Sequence, residues 1–203
     1  MKTPQAIAAP SAAAVRKSED EKTLFGFWLY LMTDCVLFAS LFATFAVLRN
    51  STFGGPNGEV LFSLNFVLAE TLILLTSSFT CGLGILAARQ NNRRLTLALF
   101  AATFLLGAAF LFLEVHEFSH LYQEGNSWRR SGFLSAFFTL VGTHGLHISV
   151  GLVWMGTLMA RVRRAGFNRA SLRQLTMLSL FWHFLDIVWI FIFTIVYLTG
   201  IVL

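Results

Sequence analysis

Residues 132–160 read GFLSAFFTLVGTHGLHISVGLVWMGTLMA, a run without a single Lys, Arg, Asp or Glu. About 20 apolar residues suffice to cross the ~30 Å hydrocarbon layer of a bilayer. Inside that layer no water satisfies an open backbone, so such a run must fold as a helix. Working outward, four more runs pass the same test: 24–48, 65–88, 95–119 and 175–201. The fold class is therefore all-α: a polytopic membrane protein with five transmembrane helices in one domain, residues 24–203. The fourth run is long enough that tilt, or extension past the interface, is expected.

Composition agrees. The 203 residues are 56% hydrophobic and 12% charged, with a mean hydropathy of +0.70, against about 25% charged in a soluble domain. The formal charge of +5 would suggest nucleic acid in a soluble protein. Here the basic residues sit in short inter-helix loops, so no nucleic-acid partner is expected. Cys35 and Cys81 both lie in apolar runs and have no metal-type spacing, and they read as buried free thiols. Residues 1–23 are Ala-rich with mixed charge; no apolar core follows Lys2, so they read as a disordered cytoplasmic tail and not a signal peptide.

The loops set the orientation. The tail (Lys2, Arg16, Lys17, Lys22), the second loop (Arg89, Arg93, Arg94) and the fourth (Arg161, Arg163, Arg164, Arg169, Arg173) share one side and hold 12 of the 15 basic residues. The other side holds Arg49, Arg129 and Arg130. The positive-inside rule then predicts a cytoplasmic amino terminus and an external, periplasmic carboxyl terminus. The first loop, NSTFGGPNGE, is a turn cluster.

Function must be sought in the ionisable groups stranded in apolar sequence: Asp34, Glu70, Glu114, Glu117, His144, His147, His183 and Asp186. A charge near the bilayer centre costs about 2.5–3.5 kcal/mol on insertion scales. At 1.5 Å per residue, Asp34, His144, His147, His183 and Asp186 fall between the midplane and the cytoplasmic third, with Glu70 and Glu114 nearer the external side. His144 and His147 (HGLH) share a helix face at i, i+3, as do His183 and Asp186 (WHFLD). Imidazoles there could ligate metal or haem, or could join carboxylates in an interhelical hydrogen-bond set. A di-haem arrangement on His144, His147 and His183 would crowd its ligands at one depth. Glu117-Phe-Ser-His120 is a single E-x-x-H element, with Glu114 and His116 nearby; di-iron bundles use two such elements plus two further Glu. Asp34 and Glu70 read either as proton carriers or as carboxyls bonded to a neighbouring helix or headgroup. No nucleophilic triad or phosphate cradle is present. A stand-alone carrier or proton channel using these carboxylates is the rival class, but a repeat-type transporter would show paired, interrupted helices that this chain lacks.

The stretches FGFWLYLMTDCVLFASLFATFAVL, AETLILLTSS, LEVHEFSHL, RSGFLSAFFTLVGTHGLHISVGLVWM and LSLFWHFLDIVWIFIFTIVYLTG resemble subunit III of haem–copper respiratory oxidases. The chain is most similar to the five-helix form of bacterial bo-type ubiquinol oxidases, over essentially residues 24–203. The resemblance implies a non-catalytic subunit of a proton-pumping complex in the bacterial inner membrane that oxidises ubiquinol and reduces oxygen to water. It implies that haems and copper reside in subunit I and none in this chain, with subunits I, II and IV and phospholipids as partners. It also implies roles in assembly, lipid binding in an interhelix cleft and sustained turnover. Asp34 matches a buried family carboxylate that is usually Glu in cytochrome c oxidases, and Asp favours the quinol-oxidase branch. Glu117, His144, His147, His183 and Asp186 fall on motif positions. Longer relatives have seven helices, and this chain resembles them without the first two. The expectation carried forward has no catalytic, metal or cofactor-binding residue. Asp34, His144, His147, His183 and Asp186 form polar glue, and Glu70, Glu114 and Glu117 face lipid headgroups or a partner.

Overall fold

The computed structural model describes residues 12–52, 54 and 64–202. Its helices are α1 (Ala12–Leu48), α2 (Leu64–Arg89), α3 (Arg93–Gln123), α4 (Gly132–Ala165) and α5 (Arg169–Ile192). A π-helical turn, Phe193–Leu198, continues α5 into the short α6, Thr199–Val202. Five of these segments are long and apolar enough to cross a membrane, and no strand occurs among the described residues.

Every helix outruns its apolar core at one end or both. Spans read from hydropathy stop where the oil stops, whereas helices stop at caps. Asn92, Ser131 and Asn168 each accept a hydrogen bond from a backbone N–H three residues on, fixing the starts of α3, α4 and α5. Gly166, at φ +73°, turns the chain sharply between α4 and α5, a conformation glycine adopts without a Cβ penalty.

The tail differs from expectation in the same way. Residues 12–23 are helical and continuous with α1, while 1–11 lie outside the described residues. Ala and long charged side chains favour helix, and extending an existing helix avoids the nucleation cost. Asp20 also anchors this extension, accepting hydrogen bonds from Arg169 Nε (2.6 Å) and Arg173 Nη1 (2.5 Å) on α5. Asp20→Ala should therefore leave the bundle folded while speeding tryptic cleavage at Lys22 in membranes with that face accessible. An unchanged cleavage rate would show that the anchor does nothing. Most of the first-loop turn cluster falls outside the described residues.

Helices α2, α3, α4 and α5 pack in a ring, each against its neighbours, and α1 lies outside the ring against α4 and α5. Among the described residues the three largest fully buried side chains, Trp182, Trp189 and Tyr197, come from α5 and its π turn. α1 instead shows Phe25, Leu29, Val36 and Val47 outward, the expected dress of a surface that meets lipid or another subunit.

Candidate functional site: buried polar clusters between the helices

The five residues expected to act as one polar set are divided among three helix interfaces. At the α1–α4 contact, His147 Nδ1 donates to the Thr143 carbonyl at 2.7 Å. This turns Nε2 toward Asp34, 3.8 Å from Oδ1. Phe38 packs its ring 5.2 Å from the imidazole.

At the α4–α5 contact, His144 is fully buried and its Nε2 donates to the Leu185 carbonyl at 3.2 Å. Trp189 and Phe110 flank the ring at 5.2 and 5.7 Å. Aromatic rings on α3 and α5 thus pack close around this imidazole. At the α2–α5 contact, Asp186 lies beside Ser78 and His183, and a Cβ at Gly82 would sit 3.9 Å from His183 Nε2. So His183 and Asp186 share a face as the spacing requires, and that face meets α2. The i, i+3 pair on α4 is split, because His144 points at α5 and His147 at α1.

The three glutamates depart from expectation. Glu70 and Glu114 do not face headgroups or a partner. They are 0% and 2% exposed inside the ring of helices. The Tyr197 hydroxyl donates to Glu117 Oε2 at 2.8 Å. The π turn makes this bond geometrically natural, since an extra residue per turn rotates everything beyond it. Gly145 on α4 makes room for Glu114, whose Oε1 would lie 2.5 Å from a Cβ there. The E-x-x-H element is not one site, because Glu117 turns inward to Tyr197 while exposed His120 pairs with Glu124 at 3.6 Å. Among the described residues, no three His, Cys, Asp or Glu side chains converge as a metal-holding group.

Sequence reasoning passed over the hydroxyls. Trp182 Nε1 donates to Ser77 Oγ and Trp189 Nε1 to Thr71 Oγ1, both at 3.0 Å. Thr80 and Thr103 share a hydrogen bond of 2.8 Å between α2 and α3. The signal was available. Two tryptophans seven residues apart on α5 need acceptors in oil, and the antiparallel α2 offers the hydroxyls of Thr71 and Ser77.

Buried polar groups meet at the helix interfaces, and among the described residues none of these clusters brings a nucleophile, a base and open space into one place. The comparisons fit this. The family described as cytochrome c oxidase subunit III matches residues 13–201. A protein of Pseudomonas aeruginosa named cytochrome bo(3) ubiquinol oxidase subunit 3 is 58% identical over 88% of this chain and 85% of its own length. Its Pseudomonas putida counterpart is 53% identical over 89% and 87%. A Bacillus protein (strain PS3) named cytochrome c oxidase subunit 3 is 46% identical over 91% and 89%. With nearly the whole chain aligned, the protein belongs to the cytochrome c oxidase subunit III family.

Proposed function

We propose that this chain is the non-catalytic third subunit of a proton-pumping ubiquinol oxidase in a bacterial inner membrane, where it supports assembly and sustained turnover. The observation that carries this reading is the 58% identity, over nearly the full length, to a bo(3) ubiquinol oxidase subunit 3. The chemistry supports it. His144 and His147 each donate a ring N–H to a backbone carbonyl within the fold, which suits a role in fastening the helices. Haems and copper then belong to subunit I, beside which this chain packs together with subunits II and IV and phospholipid. The amino terminus faces the cytoplasm, as the crowding of basic loops on one side favours.

The test is purification by a tag on this chain in mild detergent. Haem absorbance should co-elute with it in one large species, and should vanish from the chain once harsher detergent releases it. A colourless monomer or homodimer from mild detergent would favour the carrier reading, and haem retained on the released chain would refute the non-catalytic role.

A further inference from the structure

Residues 116–120 read HEFSH. An H-E-x-x-H run on a helix sets two imidazoles at i and i+4 on one face, where both can reach one metal ion. The run lies within α3, with His116 and His120 exposed and Glu117 turned inward to Tyr197. At 1.5 Å per residue the two histidines stand about 35 and 40 Å along α3 from its start at Arg93. That is beyond the ~30 Å hydrocarbon layer. Under the orientation proposed above, the pair reaches water at the external end of the bundle.

Its surroundings suit a cation. His120 Nδ1 faces Glu124 Oε1 at 3.6 Å, one helical turn further on, with side chains 63% and 51% exposed. A carboxylate behind a metal-binding imidazole fixes the ring and strengthens it as a ligand, and here it leaves Nε2 for the ion. Cβ atoms at i, i+4 lie about 5–6 Å apart, and zinc–imidazole bonds are about 2.0–2.1 Å, so the two rings can close on one centre. Imidazole suits Zn²⁺, Cu²⁺ and Ni²⁺, whereas Mg²⁺ and Ca²⁺ take oxygen ligands. Among the described residues no third ligand converges on the pair, which leaves the other coordination positions to water.

We propose that His116 and His120 chelate one divalent transition-metal cation on the outer face of α3, with Glu124 as the positioning residue for His120. The site binds and does not hydrolyse. In metallopeptidases the Glu of this motif is the general base for metal-bound water. Glu117 instead accepts the hydroxyl of the fully buried Tyr197 at 2.8 Å, on a different face of the helix from the two imidazoles. The chain thus keeps the ligand spacing of the motif and turns its base into the fold.

The experiment is equilibrium dialysis of the intact complex, purified without a polyhistidine tag, against Zn²⁺. A double variant, His116→Ala with His120→Ala, gives the background from every other site. Wild type should bind one more Zn²⁺ per complex than this variant. The dissociation constant for that ion should rise at least about tenfold in each single histidine variant, the scale on which metal sites respond even to losing a supporting group. The two losses should not add, because a chelate is broken by removing either arm. Both side chains are exposed, so these variants should keep their fold, and unchanged haem absorbance of the complex checks it. Glu124→Gln should weaken binding by less, and Glu117→Gln should leave it unchanged. Equal Zn²⁺ binding by wild type and the double variant would overturn the site, and so would a loss confined to one of the two histidines. Zinc-dependent cleavage of casein that Glu117→Gln abolishes would overturn the claim that the site only binds.

Discussion

Replacing Gly107 with alanine is expected to destabilise the bundle by about 1–3 kcal/mol, the usual cost of overpacking a well-filled interior, and replacing it with valine to prevent assembly. A Cβ at this position would lie 2.7 and 2.8 Å from two ring carbons of Trp182, with Leu152 at 3.2 Å. Whether such a clash is serious depends on which partner can retreat. Trp182 cannot, because its ring is 1% exposed and its Nε1 is bonded to Ser77 on α2. Its other edge presses on α4, where a Cβ at Gly151 would come within 3.0 Å. Trp182 therefore reaches across the ring from α5 to α3, where the absent side chain at Gly107 leaves it room. A second substitution separates this account from a general dislike of alanine. Trp182→Phe lacks the outer ring of the indole and should recover much of the Gly107→Ala loss, giving a coupling energy that distant pairs do not show. The readout is the unfolding midpoint of the purified protein in mixed micelles as sodium dodecyl sulfate is raised. Strict additivity of the two substitutions would refute the contact as the cause.

Which parts of this architecture the sequence could reveal follows from the solvent. Apolar runs reveal spans because the bilayer imposes a length, and all five emerge at nearly the expected places. The same bilayer hides orientation about each helix axis. Lipid-facing and protein-facing surfaces are both apolar, so no amphipathic stripe says which side of α2 carries Glu70 inward. That is why Glu70 and Glu114 read as headgroup or partner contacts while standing in the interior. Asp34 and His147 could be placed at one depth, but their meeting required α1 to lie against α4, which no spacing states. The π turn had no local signature either. FTIVYL is ordinary helix-compatible sequence, and the Tyr197 hydroxyl within this turn donates to Glu117. The helical residues 12–23 were misjudged for another reason. Mixed charge resembles a solvated tail until Arg169 and Arg173, some 150 residues away, supply the partners of Asp20.

Trp189 offers the sharpest division between the two forces that hold this bundle. Its ring is 0% exposed, with Phe110 at 4.6 Å, His144 at 5.2 Å and Tyr197 at 6.1 Å, and its Nε1 donates to Thr71. If hydrogen bonds were the dominant glue, Trp189→Phe and Trp189→Ala should hurt alike, since both delete the donor. Interhelical hydrogen bonds in membranes average only about 0.6 kcal/mol, because the separated helices also find partners. Vacating an aromatic site leaves a cavity lined by unsatisfied dispersion contacts, at about 3–5 kcal/mol. Trp189→Phe should accordingly lose roughly 1 kcal/mol or less, by the hydrogen-bond figure plus a little packing. Thr71→Val, nearly the same shape, should match it. Trp189→Ala should unfold the chain at a far lower detergent fraction and release it from its complex. The cavity also opens beside His144, so the alanine variant should lose the packing that holds that imidazole against Leu185. A phenylalanine variant as damaged as the alanine one would reverse the order of forces and make the polar contacts the principal fasteners of the fold.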